Sequence, residues 1–204
     1  MTDVYVVSAM RTAIGGFGGS LKDVPPHELG TTVIKAAIDK AGISGDDVGH
    51  VVIGHVVNTE PRDQYLSRLA SVNAGVSKDS VAMNVNRLCG SGLQAIISAA
   101  QSIKLGDTDV AIGGGVEVMS RGAYILPTSR WGARMGDNKI VDMMTGAVTD
   151  PFEVVHMGVT AENVAKEFDI SREEQDALAA ESHRRAANAI EQGYFKEHNA
   201  TSIS

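Results

Sequence analysis

Residues 81–106, VAMNVNRLCGSGLQAIISAAQSIKLG, read as a strand delivered directly into a helix. Val81 to Val85 is a short apolar run with β-branched ends, the composition of a strand. Gly90 to Leu105 then keeps apolar residues at helical spacing until Gly106, a residue suited to the left-handed stop of a helix. The same alternation extends outward. On the N-terminal side, Val4 to Ser8 is expected to be a first strand, and Glu28 to Ala41 a helix that stops at Gly42. Val48 to Val57 is expected to be a second strand and Arg62 to Ala74 a second helix. On the C-terminal side, Asp109 to Val118 is expected to be a fourth strand broken by Gly113, Gly114 and Gly115. Parallel strands need crossover connections, so this order predicts an α/β fold with a largely parallel sheet covered by helices.

The alternation stops at residue 118, and residues 1–118 are taken as a core half. Residues 119–204 are taken as a loop-domain region over the sheet. That region opens with an irregular Gly-, Arg- and Met-rich stretch and continues into helices expected at Val159 to Phe168 and Ser171 to Gln192. Ser171 and Glu174 have the spacing of a capping box. No repeat or low-complexity tract interrupts the chain.

Composition excludes several classes. The 204 residues are 43% hydrophobic with a mean hydropathy of −0.03, which rules out disordered, collagen-like and coiled-coil chains. A formal charge of −7 argues against a general nucleic-acid binder, which needs clustered Lys and Arg. The start, MTDVYVVSAMRTAIGG, lacks the basic end and long apolar run of a signal peptide, and no segment has the roughly 20 apolar residues of a membrane span. A cytoplasmic protein without membrane or nucleic-acid partners is expected.

A single cysteine, Cys89, leaves no intrachain disulfide and no multi-thiolate metal site. A lone cysteine in such a chain is more often a small buried hydrophobe than a reagent. Its position argues otherwise. Cys89 stands where the strand ends and the helix begins, where unpaired helix N–H groups and the helix dipole favour a thiolate, and Gly90 and Gly92 clear space beside it. Gly15 to Gly19 is read as a structural turn, because no Lys-Ser or Lys-Thr follows to make a phosphate loop. Glu117 has no sequence partner near Cys89 and is read as structural.

The run NVNRLCGSGLQAI resembles the acyl-enzyme signature of the thiolase family, matched by Asn86, Cys89, Ser91, Gly92, Ala95 and Ile96. RTAIGGFGGSL near the start, GGGVEVMS at 113–120 and HMGVTAENVA at 156–165 match the same family in order. RWGARMGD looks like bacterial 3-ketoacyl-CoA and acetoacetyl-CoA thiolases. The resemblance implies the N-terminal half of a five-layered α/β/α/β/α fold with an inserted loop domain. It further implies an acetyl-CoA C-acyltransferase or acetyltransferase acting on coenzyme A and acyl-CoA as substrates, with no tightly bound cofactor and no metal, in a homodimer or homotetramer.

Carried over residue by residue, Cys89 matches the nucleophile, and its backbone N–H a donor to the oxyanion. His156 and Met157 match positions lining the tunnel for the pantetheine arm of CoA, and Val148 falls where the family often has leucine on the same wall. Without the resemblance, His156 beside Val154, Val155 and Met157 reads as a core histidine. The basic residues Arg121, Arg130, Arg134 and Lys139 lie where the family has a tetramerisation loop.

The family also uses a histidine in a Gly-His-Pro context and a second cysteine in Cys-x-Gly. Histidines 27, 50, 55, 156, 183 and 198 include no Gly-His-Pro, and Cys89 is the sole cysteine. HNATSIS departs from the family's usual continuation after GYF. The chain alone is therefore expected to be inactive in turnover and to show an apolar face that promotes self-association. Two other readings are a ketoacyl-synthase-type condensing protein, disfavoured by the unbroken HMGVTAENVA and GGGVEVMS, and a truncated chain that only oligomerises or binds acyl-CoA.

Overall fold

A computed structural model describes residues 3–200. The described residues divide into two compact units, one formed by residues 3–144 with 199–200 and the other by residues 145–198. In the first unit the elements run α1 (Pro26–Ala41), β1 (His50–Gly54), α2 (Leu66–Asn73), β2 (Val81–Val85), α3 (Ser91–Leu105) and β3 (Ala111–Gly115). The three strands form a parallel sheet in the order β2-β1-β3. Gly54 lies beside both Val85 and Gly115, so all three strands end level and their exit loops leave one edge.

The α/β reading holds, and the core explains it. β1 is the middle strand, and Val51, Val52 and Ile53 are buried. Ile34 and Ile38 of α1 and Leu66 and Ala70 of α2 pack with Val51 and Ile53. Val52 packs instead with Ala95 and Ala99 of α3. Period-two alternation thus sends neighbouring β1 side chains into two helical layers. Both α1 and α3 stop at left-handed glycines, Gly42 (φ 68°) and Gly106 (φ 80°), each donating its amide back to the last turn.

Several expected boundaries shift. The strand expected at Val48 to Val57 is confined to His50–Gly54. The helix expected from Arg62 starts as a 3-10 turn over Pro61–Tyr65 and becomes α-helical at Leu66. Asp63 Oδ2 gathers the Thr59 amide and hydroxyl and the Glu60 amide at 2.6, 2.8 and 3.1 Å, which tightens that turn. Gly113, Gly114 and Gly115 do not break the fourth predicted strand; they form its last three residues. A Cβ on Gly113 would stand 2.7 Å from Ile96 Cα, and one on Gly54 2.5 Å from the Ser91 carbonyl carbon. Glycine here lets α3 lie directly on the sheet.

The first predicted strand is a correction. Val4 to Ser8 pairs with no strand among the described residues, and Tyr5, Val6 and Val7 are 70–82% exposed. A β-branched run specifies an extended backbone, but a strand is a pairing, and here the ladder is missing. The segment is held by Ser8 Oγ, which donates to Ala37 O at 2.9 Å. An apolar cavity of about 760 Å³ lies among residues 4–17, α1, α3 and β3.

Residues 119–147 carry a small antiparallel pair, β4 (Tyr124–Ile125) with β5 (Val141–Asp142), and then α4 (Met143–Ala147). The second unit contains α5 (Met157–Glu167) and α6 (Arg172–Glu191). The Ser171–Glu174 capping box is present in both directions. No helix among the described residues is long and apolar enough to cross a membrane.

Candidate active site

Cys89 sits on the loop between β2 and α3, and its thiol is free and exposed. The loop is built by its own polar groups. Asn86 Oδ1 accepts the Leu88 amide at 3.0 Å, and the Gly90 amide donates to Arg87 O at 3.1 Å. The buried Ser91 hydroxyl accepts the Arg87 amide at 2.9 Å and donates to Leu88 O at 2.6 Å. Leu88 has φ 47°, a conformation that costs a side-chain-bearing residue about 1–2 kcal/mol. Cys89 follows this twist and directly precedes Gly90, the N-cap of α3. No side chain caps this helix, and the Ser91 amide turns back to Leu88 O at 3.0 Å.

A second polar cluster, of which the sequence reading singled out only Glu117 and, for another role, Arg121, binds the neighbouring exit loops. His55 follows β1, and its amide donates to Val85 O, the last residue of β2, at 3.1 Å. Its buried ring places Nδ1 3.0 Å from Val116 O and 3.2 Å from Glu117 Oε1. Nε2 lies 3.8 Å from Oδ2 of Asp63, a residue with no exposed surface. Glu117 also accepts the amides of Val56 and Val57, at 2.9 and 3.2 Å, so its structural reading is carried by real bonds. Arg121 closes the cluster by donating to Glu60 Oε2 at 3.0 Å and to Asp23 O at 3.1 Å. It is therefore separated in role from Arg130, Arg134 and Lys139, which are exposed on the β4–β5 segment.

In the second unit the structure brings Val148, His156 and Met157 together. The Met157 amide donates to Val148 O at 2.8 Å. His156 is the N-cap of α5, its Nδ1 accepting the Gly158 amide at 3.0 Å, which leaves the proton of a neutral ring on Nε2. The core-histidine reading fails: His156 is exposed, because capping a helix holds it at the unit's surface. Met157 is 48% exposed, and Val148 half-buried. Cys89 belongs to the other unit.

The profile of the thiolase N-terminal domain matches residues 4–199. The chain belongs to the thiolase family. Among curated relatives it is 67% identical over 195 residues to the β-ketothiolase BktB of Cupriavidus necator, covering 96% of this chain and 50% of that protein. It is 47% identical to an acetyl-CoA acetyltransferase of the same organism over 97% of this chain and 50% of that one. The crystal structure of the Bacillus anthracis acetyl-CoA acetyltransferase superposes with a TM-score of 0.90 at 39% identity, over 95% of this chain and 49% of that one. The chain thus has the thiolase fold of an N-terminal half, and spans about half the length of the relatives it matches. In this thiolase-family chain, the NRLCGSG run occupies the strand-to-helix junction that the sequence placed it at.

Proposed function

We propose that this chain is the nucleophile-bearing half of a thiolase-type acyltransferase, one that cleaves 3-ketoacyl-CoA with CoA or condenses two acyl-CoA molecules. The observation that carries this reading is Cys89, an exposed free thiol within NRLCGSG at the uncapped start of α3. The sulfur attacks the thioester carbonyl of an acyl-CoA. The tetrahedral intermediate then expels the CoA thiolate, leaving the acyl group on Cys89 as a new thioester. Donors at the start of α3 offset the negative charge that develops on the carbonyl oxygen.

Val148, His156 and Met157 are proposed as wall for the pantetheine arm, acting through shape and packing. The loop carrying Arg130, Arg134 and Lys139 is proposed as an assembly contact in a homo-oligomer. Cytoplasmic location is part of the same proposal. Carbon–carbon bond formation also needs a group to take a proton from the α-carbon. No second cysteine and no Gly-His-Pro histidine is present in these 204 residues. The chain by itself is therefore expected to accept an acyl group without turning over.

Intact-mass analysis after incubation of the full chain with acetyl-CoA tests this. One acetyl group is expected, absent in Cys89→Ser. Labelling that survives Cys89→Ser overturns the nucleophile assignment. Labelling of neither protein favours the reading in which the chain only binds acyl-CoA or oligomerises. Sustained cleavage of acetoacetyl-CoA by the chain overturns the expectation that it cannot turn over.

A further inference from the structure

We propose that His55 is a positioning residue for Cys89, locked by Glu117 and Asp63 beneath the loop that bears the nucleophile. The inference rests on the reading of Cys89 as the acyl carrier. It starts from a cost. His55 and Asp63 are both buried, and the His55 Nε2 and Asp63 Oδ1 atoms have no hydrogen-bond partner among the described residues. Buried polar atoms left unpaired are destabilising, and an apolar side chain of similar volume would fill the same space without that loss. What an apolar residue would lack is direction. Nδ1 faces Val116 O and Glu117 Oε1, which only accept, so Nδ1 carries a proton and the ring plane is fixed between the exit loops of β1 and β3.

Two routes connect this residue to Cys89. The His55 amide holds Val85 O, four positions before the nucleophile. The preceding residue, Gly54, lies so close to the Ser91–Gly92 backbone that even a Cβ would not fit. A shift at residue 55 therefore moves both the strand that enters the Cys89 loop and the helix that leaves it. The loop's other fastenings close a ring around His55. Glu117 holds the Val56 and Val57 amides, Asp63 holds Thr59 and Glu60, and Arg121 reaches Glu60.

Transfer of an acetyl group from acetyl-CoA demands orientation against a bound donor, whereas alkylation by a small reagent such as iodoacetamide demands only an accessible thiolate. The sole cysteine makes both readouts specific to Cys89. In the full chain, His55→Leu is expected to slow acetyl transfer about tenfold or more, the scale on which small misplacements act. Alkylation of the same variant should keep the wild-type rate, and His55→Gln, which retains an N–H donor, should recover most of the transfer.

Equal transfer by wild type and a folded His55→Leu overturns the proposal. So does a parallel loss of transfer and alkylation that His55→Gln does not rescue. If His55→Leu loses its helical circular dichroism, Glu117→Gln decides instead, with the same split expected and unchanged transfer overturning the role. Absence of transfer in the wild-type chain overturns the nucleophile reading itself, and the positioning role with it.

Discussion

The Ser91 hydroxyl stands 2.6 Å from the carbonyl of Leu88, three residues back and across the nucleophile. The same oxygen receives the Arg87 amide, so one buried side chain fastens both sides of Cys89. Ser91→Ala removes both bonds and leaves an amide without its acceptor. A loss of about 1–2 kcal/mol is expected, and differential scanning should show the melting point falling by about 2–4 °C per kcal/mol for a chain of this size. An unchanged melting point would mean that the loop is held by other contacts.

Leu88 carries the positive φ of that loop while the residue is 56% exposed, so burial does not justify leucine there. Asparagine tolerates this conformation and a β-branched residue does not. Leu88→Asn, which relieves part of that backbone cost, is expected to be as stable in urea as wild type or more stable by up to about 1 kcal/mol. Leu88→Ile, with a branched Cβ that this conformation disfavours further, should be less stable than wild type. Equal losses for the two would remove backbone conformation as the controlling factor.

Two glycines near the sheet's edge make a paired test. A Cβ at Gly54 would sit 2.5 Å from the Ser91 carbonyl carbon, whereas one at Gly114 meets nothing within 4 Å. Gly54→Ala is expected to cost about 1–3 kcal/mol through overpacking against backbone. Gly114→Ala should remain within about 0.5 kcal/mol. Denaturant midpoints of the two variants check the contrast.

The pH response of α6 follows from its cap. The Ser171 amide and hydroxyl hold the Glu174 carboxyl below its ordinary value, and Arg184 with Arg185 does the same for Glu181. A lowered carboxylate contributes fully above the unfolded value of about 4.3 and loses that contribution as pH falls through the folded one. Helicity at 222 nm should therefore decline on acidification, and less steeply in Glu174→Gln. Identical acid profiles for variant and wild type would exclude the cap as the cause.

Local rules made much of this chain legible. Val81–Val85 and the glycine stops of α1 and α3 depend on neighbours in sequence, and they stand where they were expected. The Ser171 capping box is equally local. Val4 to Ser8 failed for the opposite reason, since its composition describes one strand and says nothing of a partner. His55 and Val116 are 61 positions apart, and only the β1–β3 register that puts Gly54 beside Gly115 makes them neighbours. No spacing rule reaches that far. The capping of α5 by His156 was not legible, because histidine is not among the usual helix caps.

The missing ladder at Val4 to Ser8 also gives the molecule a built-in contrast in isotope exchange. Val51, Val52 and Ile53 lie in a middle strand hydrogen-bonded on both sides, and their amides exchange only when the sheet opens. Val4 to Ser8 have the same β-branched chemistry without a strand pairing among the described residues. Their amides are therefore expected to take up deuterium as a loop would, at the earliest time points, so that two stretches alike in composition report opposite ends of the chain's local stability.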